Sequence, residues 1–201
     1  MPGVPLIRTG WYNNDETYQR IYRIIALEGR LPPPDEITVL SPKEGRDLAT
    51  PLSLGFAIPG ERKVWFIETP PQYVVFAHEL IHLARKEGEM DEEIYGYNLS
   101  AFIAVLAVKG ILPRRNPLRL FEGGVTLEKV MRALRSVYNY NFKDITEYFH
   151  FIGVVPLFML RGARPRDDDP YVVVTMVTEL AAGSEYFDEM LYTLLALLEM
   201  L

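Results

Sequence analysis

The chain has no cysteine. That removes disulfide scaffolds and every metal site that draws on thiolate, and it leaves no need for an oxidising compartment. Histidine is nearly as scarce, with three in 201 residues. Long apolar runs are missing too. Leu99 to Leu112 is broken by Lys109 and Gly110, and Phe149 to Leu160 contains Pro156, so neither reaches the roughly 20 uninterrupted residues of a membrane span. Positive charge is in deficit, with 21 Lys and Arg against 27 Asp and Glu, a net charge of -6 and a pI near 5.2. This argues against a general nucleic-acid surface, which needs a basic face. Arg114, Arg115 and Arg119 form one local cluster and Arg161, Arg164 and Arg166 another, but Asp167, Asp168 and Asp169 follow the second directly. The start, Met1 to Arg8, lacks the charged and apolar regions of a signal peptide. At 49% hydrophobic and 24% charged, the expectation is a single cytoplasmic domain, 1–201, with an ordinary core and no membrane partner.

Two of the three histidines stand in one pentapeptide, His78-Glu79-Leu80-Ile81-His82. On a helix, residues four apart share a face with Cβ atoms about 5 to 6 Å apart, so both rings can reach one ion. Glu79 lies about 100° round the axis, where it misses the ion but can touch a water on it. Such an arrangement suits a zinc-dependent hydrolase. The pattern constrains only three positions, so its context carries the argument.

Upstream, residues 54–68 read as two short apolar runs around Pro59-Gly60, a hairpin signature. Pro70-Pro71 ends the second run and can open a helix. From Gln72 to Lys86, Phe76, Leu80 and Leu83 form one apolar side and Ala77, Ile81 and Ala84 another, which predicts a helix buried between layers. Val75, His78, His82 and Arg85 occupy the strip between, so the histidines face a cleft. Metal ligation would satisfy both of these imidazoles at once.

The third ligand is narrowed by elimination. A deformylase-type site requires cysteine, and a metzincin requires histidine where this chain has Gly88, which leaves a carboxylate. Residues 89–109 read as a second helix with an acidic first turn, suited to the positive end of its dipole, and an apolar body. Gly88 stops the first helix and Gly110 the second. Gly96 and Ser100, three and seven positions after Glu93, would let the two helices approach closely. Glu93 is therefore the expected ligand and Glu92 the next choice, against the reading of Asp91, Glu92 and Glu93 as a solvated helix start.

Residues 54–106, with Phe76-Ala-His-Glu-Leu-Ile-His-Leu83 and Glu93-Ile-Tyr-Gly-Tyr-Asn-Leu-Ser-Ala-Phe102 at their centre, resemble the zincin-like gluzincin metallopeptidases, especially the small ImmA/IrrE-like and minimal gluzincins. In those families the glutamate ligand is followed by a small residue and then Asp or Asn; here Gly96 is followed by Tyr97, with Asn98 one later. Ile81 stands where glycine is frequent. The resemblance implies an α+β fold, a zincin-like core in which a small β-sheet or hairpin packs on the HExxH helix and a glutamate helix.

The expected reaction is zinc-dependent (Zn2+) hydrolysis of a peptide or protein substrate. His78, His82 and Glu93 hold the metal, Glu79 is the general base, and either strand of the hairpin could offer an edge to an extended peptide. His150, Tyr95 and Tyr97 are candidates to stabilise the oxyanion, His150 being the catalytic choice. A zinc-peptidase-like regulator with restricted or no proteolytic activity is the alternative, and a metal-free helical interaction module comes third.

Elsewhere, Asn13 to Glu16 should cap an amphipathic helix running to about Glu28 and ended by Gly29. A strand is expected over 36–40 and a loop over 41–53. The zincin-like core with its N-terminal helix would span 1–112. A helical C-terminal half would span 113–201, with helices near 126–140, 144–160, 170–182 and 184–201.

Overall fold

The computed structural model describes residues 3–50, 53–85, 93–121, positions 129, 132–133 and 135–136, and 187–201. Its contacts divide the chain into two compact units, Met1–Leu112 and Pro113–Leu201. The architecture is mixed α+β.

In the first unit, strand β1 (Val4–Pro5) is followed by helices α1 (Gly10–Asn14) and α2 (Glu16–Ala26). Asp15 caps α2 by accepting a hydrogen bond from the Thr17 backbone N–H at 2.8 Å. The cap thus falls within the expected segment, Asn13 to Glu16, while Asn13 and Asn14 close the separate short turn of α1. Tyr18, Ile21, Ile24 and Ile25 form its buried stripe, the spacing an amphipathic helix requires. The chain leaves α2 through Glu28 and Gly29, both at positive φ.

Strand β2 (Thr38–Val39) is shorter than expected, and α3 (Pro42–Arg46) replaces an expected loop. A reciprocal capping box starts α3: Glu44 N–H donates to Ser41 Oγ at 3.4 Å, and Ser41 N–H to Glu44 Oε2 at 3.0 Å. The hairpin follows as β3 (Gly55–Ile58) and β4 (Lys63–Phe66), antiparallel, with Gly55 opposite Phe66 and Ile58 opposite Lys63. The sheet has the order β1-β2-β4-β3. Parallel pairing of β2 with β4 puts β4 inside and, among the described residues, leaves β3 at the edge.

Helix α4 (Tyr73–Ala84) packs against both hairpin strands on one side and against α2 and α5 (Glu93–Lys109) on the other. Every residue from Val75 to Ile81 is buried, as the double apolar stripe requires. Helix α5 ends at Gly110, where φ is 72°. There the Gly110 and Ile111 N–H groups donate to Ala107 and Leu106 oxygens at 3.1 and 2.8 Å, a Schellman closure. Arg20 adds a further donor to the Ala107 carbonyl at 3.2 Å, a cation at the negative end of the dipole.

In the second unit, a 3-10 turn at Pro117–Phe121 packs on a C-terminal helix, Phe187–Glu199. Leu191, Leu194, Leu197 and Leu198 of that helix are buried. Positions 129, 132–133 and 135–136 are helical. The helices expected near 144–160 and 170–182 lie outside the described residues. Among the described residues no helix is long and apolar enough to cross a membrane.

Candidate metal-binding and hydrolytic site

One helix supplies the site's two imidazoles. Because His78 and His82 are four residues apart on α4, their rings stand one above the other with centroids 4.6 Å apart and planes at 85°. Their Nε2 atoms approach to 3.0 Å. That distance suits a hydrogen bond between one protonated and one bare nitrogen. It also suits shared ligation: two nitrogens so placed, each roughly 2.0 to 2.1 Å from a zinc ion, subtend about 90 to 97° at it, somewhat under the tetrahedral angle.

The far side of His78 is compatible with a bare Nε2. Ser100 Oγ of α5 lies 3.5 Å from His78 Nδ1 and is wholly buried. An Nδ1–H directed at that hydroxyl leaves the Nε2 lone pair towards His82, the tautomer a metal ligand needs. The small Ser100 side chain, expected only to permit close helix packing, thus also serves as the polar neighbour of a candidate ligand. The donor set fits a borderline cation through its two nitrogens. Among the described residues, however, no group of three or more His, Cys, Asp or Glu converges on one point.

Glu79 has a different neighbour. A methyl group placed on Gly55 would lie 2.8 Å from Glu79 Oε1, 3.0 Å from its Cγ and 2.9 Å from the Trp65 carbonyl oxygen. The carboxylate therefore rests against the bare backbone of β3, in a slot that any side chain at position 55 would occupy. Glycine within a strand often marks such an approach, a signal present in the sequence whose partner only the fold identifies. His78 and Glu79 are 3% and 4% exposed, while His82 is half-buried.

A shallow surface depression with a free volume of about 20 Å³, room for about one water molecule, is lined by Leu54, Ile67, Glu68, Pro71, Gln72 and Val75. Leu54 precedes Gly55, and Val75 lies one helical turn before Glu79.

Glu93 opens α5, seven residues before Ser100, so the helical period places it on the same face two turns earlier. The side chains of Glu93, Tyr95 and Tyr97 lie outside the described parts of the structure, as do Glu92 and His150 entirely.

No family model, curated protein or solved structure matches this chain.

Proposed function

We propose that the protein is a zinc metallopeptidase of gluzincin type, in which His78, His82 and Glu93 hold the ion and Glu79 is the general base. The observation that carries this reading is the pair of imidazole nitrogens 3.0 Å apart on α4, beside a glutamate lodged against the edge strand. When bound, the ion supplies Lewis-acid polarisation and a lowered water pKa.

The protein's own groups do the rest. An extended peptide adds to the open edge of β3 through main-chain hydrogen bonds, as in other β-augmentation, and this lays its backbone alongside Gly55. Glu79, directed at that point, takes the proton of the attacking water and delivers it to the leaving amine. Ser100 orients His78 from behind.

Burial of His78 and Glu79 favours a narrow version of this reading. With both groups almost wholly buried, only an extended segment that fits the β3 edge reaches the carboxylate. Restricted proteolysis, in the manner of a zinc-peptidase-like regulator, follows more naturally than general digestion.

The test combines metal analysis and turnover. Wild-type protein should hold one zinc per chain, and His78→Ala should hold none. A peptide pool should be cleaved by the wild type, with Glu79→Gln slowing cleavage by about 10²- to 10⁴-fold while zinc stays bound. Zinc-free wild-type protein purified without chelator would remove the proposal. Stoichiometric zinc without cleavage would leave the regulatory form of it.

A further inference from the structure

The depression between Leu54 and Val75 has mostly apolar walls and one charged group, Glu68. We infer that it is a subsite for a lysine or arginine side chain of an extended peptide, an inference that rests on the hydrolase reading for its place in catalysis. Leu54 and Ile67 are 47% and 53% exposed, and they are joined where the Ile67 N–H donates to the Leu54 carbonyl at 2.9 Å. The hairpin therefore extends past β3 as a two-residue apolar ledge. Pro71 forms the facing wall and is anchored from behind, because its carbonyl accepts a hydrogen bond from the buried Tyr18 hydroxyl.

Glu68 is the only charged residue in the lining. Among the described residues its exposed carboxylate makes no hydrogen bond or ion pair. A peptide on the β3 edge with its reacting carbonyl at Gly55 and Glu79 places a neighbouring side chain at Leu54 and Val75.

Three kinds of side chain could lie there. An acidic one would face Glu68 and the chain's charge of -6. A purely apolar one would cover the ledge but leave the carboxylate unmatched. A lysine or arginine covers the ledge with its aliphatic stem and sets its cation on Glu68 at the wet rim. Because that ion pair faces solvent, the preference is modest, about fivefold over a neutral residue of similar length.

The experiment uses full-length protein and fluorogenic peptides that vary only beside the scissile bond, with Lys, Arg, Leu or Glu there. Wild-type kcat/KM should follow the order Lys and Arg, then Leu, then Glu. Glu68→Lys should invert the charged end of that order without shifting the thermal unfolding midpoint. The same peptides, labelled, are titrated into Glu79→Gln protein by fluorescence anisotropy. Charge-ordered binding that Glu68→Lys inverts, with no turnover by wild type, keeps the subsite and removes the hydrolase. Turnover in which Leu leads and Glu68→Lys changes nothing removes the subsite and keeps the hydrolase. Absence of both turnover and charge-ordered binding overturns the two together.

Discussion

The two sides of α4 put one helix to opposite uses. On the side away from His78, Phe76 is fully buried among Trp11, Tyr18 and Phe66, whose ring centroids lie 5.5, 5.2 and 5.9 Å from its own. Contacts of this kind, edge-on for Trp11 and Tyr18 and tilted for Phe66, add about 0.5 to 1.5 kcal/mol per pair to the burial of each ring. On the site side the same helix buries the His78 imidazole and the Glu79 carboxylate and half-buries His82, groups whose lost hydration must be offset by polar partners rather than by packing. The aromatic side anchors α4 by packing, and the helical period sets His78 and His82 one turn apart. The N-terminal segment thus stabilises the site from behind, because Trp11 and Tyr18 pack on the face opposite the histidines.

Substitutions on the two sides should separate stability from chemistry. Phe76→Ala removes the shared partner of the aromatic cluster and should cost about 3 to 5 kcal/mol, read as a fall of roughly 10 °C or more in thermal midpoint. If unfolding shifts by only a degree or two, the aromatic side does not carry the stability of this unit. His78→Leu, measured with both proteins in chelator, should change stability by less than about 1 kcal/mol, because the group it removes was costly to bury. A loss as large as that of Phe76→Ala would erase the contrast between the two sides.

Gly55 sharpens the comparison on the site side alone. Its missing side chain is the space that Glu79 Oε1 occupies, so Gly55→Ala must displace the carboxylate, the strand, or both. Misplacement by about 1 Å can cost about 10²-fold in rate. The expected result is a kcat lower by roughly 10- to 100-fold, with KM and zinc content little changed. A larger KM with kcat intact would mean that Gly55 serves peptide docking rather than the base.

Much of this frame was legible in the residues, for physical reasons that can be named. The two apolar stripes of α4 and the polar strip between them follow from helical periodicity, and Gly110 sits where a helix needs a left-handed residue to close. Pro59-Gly60 signalled the hairpin. Properties set by contact between distant segments were not legible. That β3, rather than β4, is the edge depends on β2 pairing with β4 from the far side; β2 and β1 are two-residue strands, too short for any period to show. The slot at Gly55 and the approach of Ser100 to His78 are likewise products of packing. One miss was local and avoidable, since Ser41-Pro-Lys-Glu44 carries the capping-box spacing that starts α3.

The smallest effect expected lies at the junction between the two sides, where α2 meets the start of α4. Asp15 caps α2 through Oδ1 and accepts the Tyr73 hydroxyl at 2.6 Å through Oδ2. Partial burial works against its ionisation, but the hydrogen bonds from Tyr73 and Thr17 outweigh that and hold its carboxyl below the ordinary value. A depressed carboxyl contributes stability above its unfolded pKa and loses it as pH falls through the folded one. Asp15→Asn should therefore cost about 1 kcal/mol or less near neutrality, with the gap to wild type closing in acid. The alkaline limb has the opposite origin. Burial pushes Tyr12 and Tyr18 up to about 12, so stability present below the ordinary value of 10.0 is lost as pH rises towards 12. Tyrosinate absorbance should then appear together with unfolding in wild type. In Asp15→Asn the alkaline limb should keep its position, because the aromatic cluster behind α4 is untouched by that change. If it moved in parallel with the acid limb, the cap would be supporting the whole aromatic face and not only the first turn of α2.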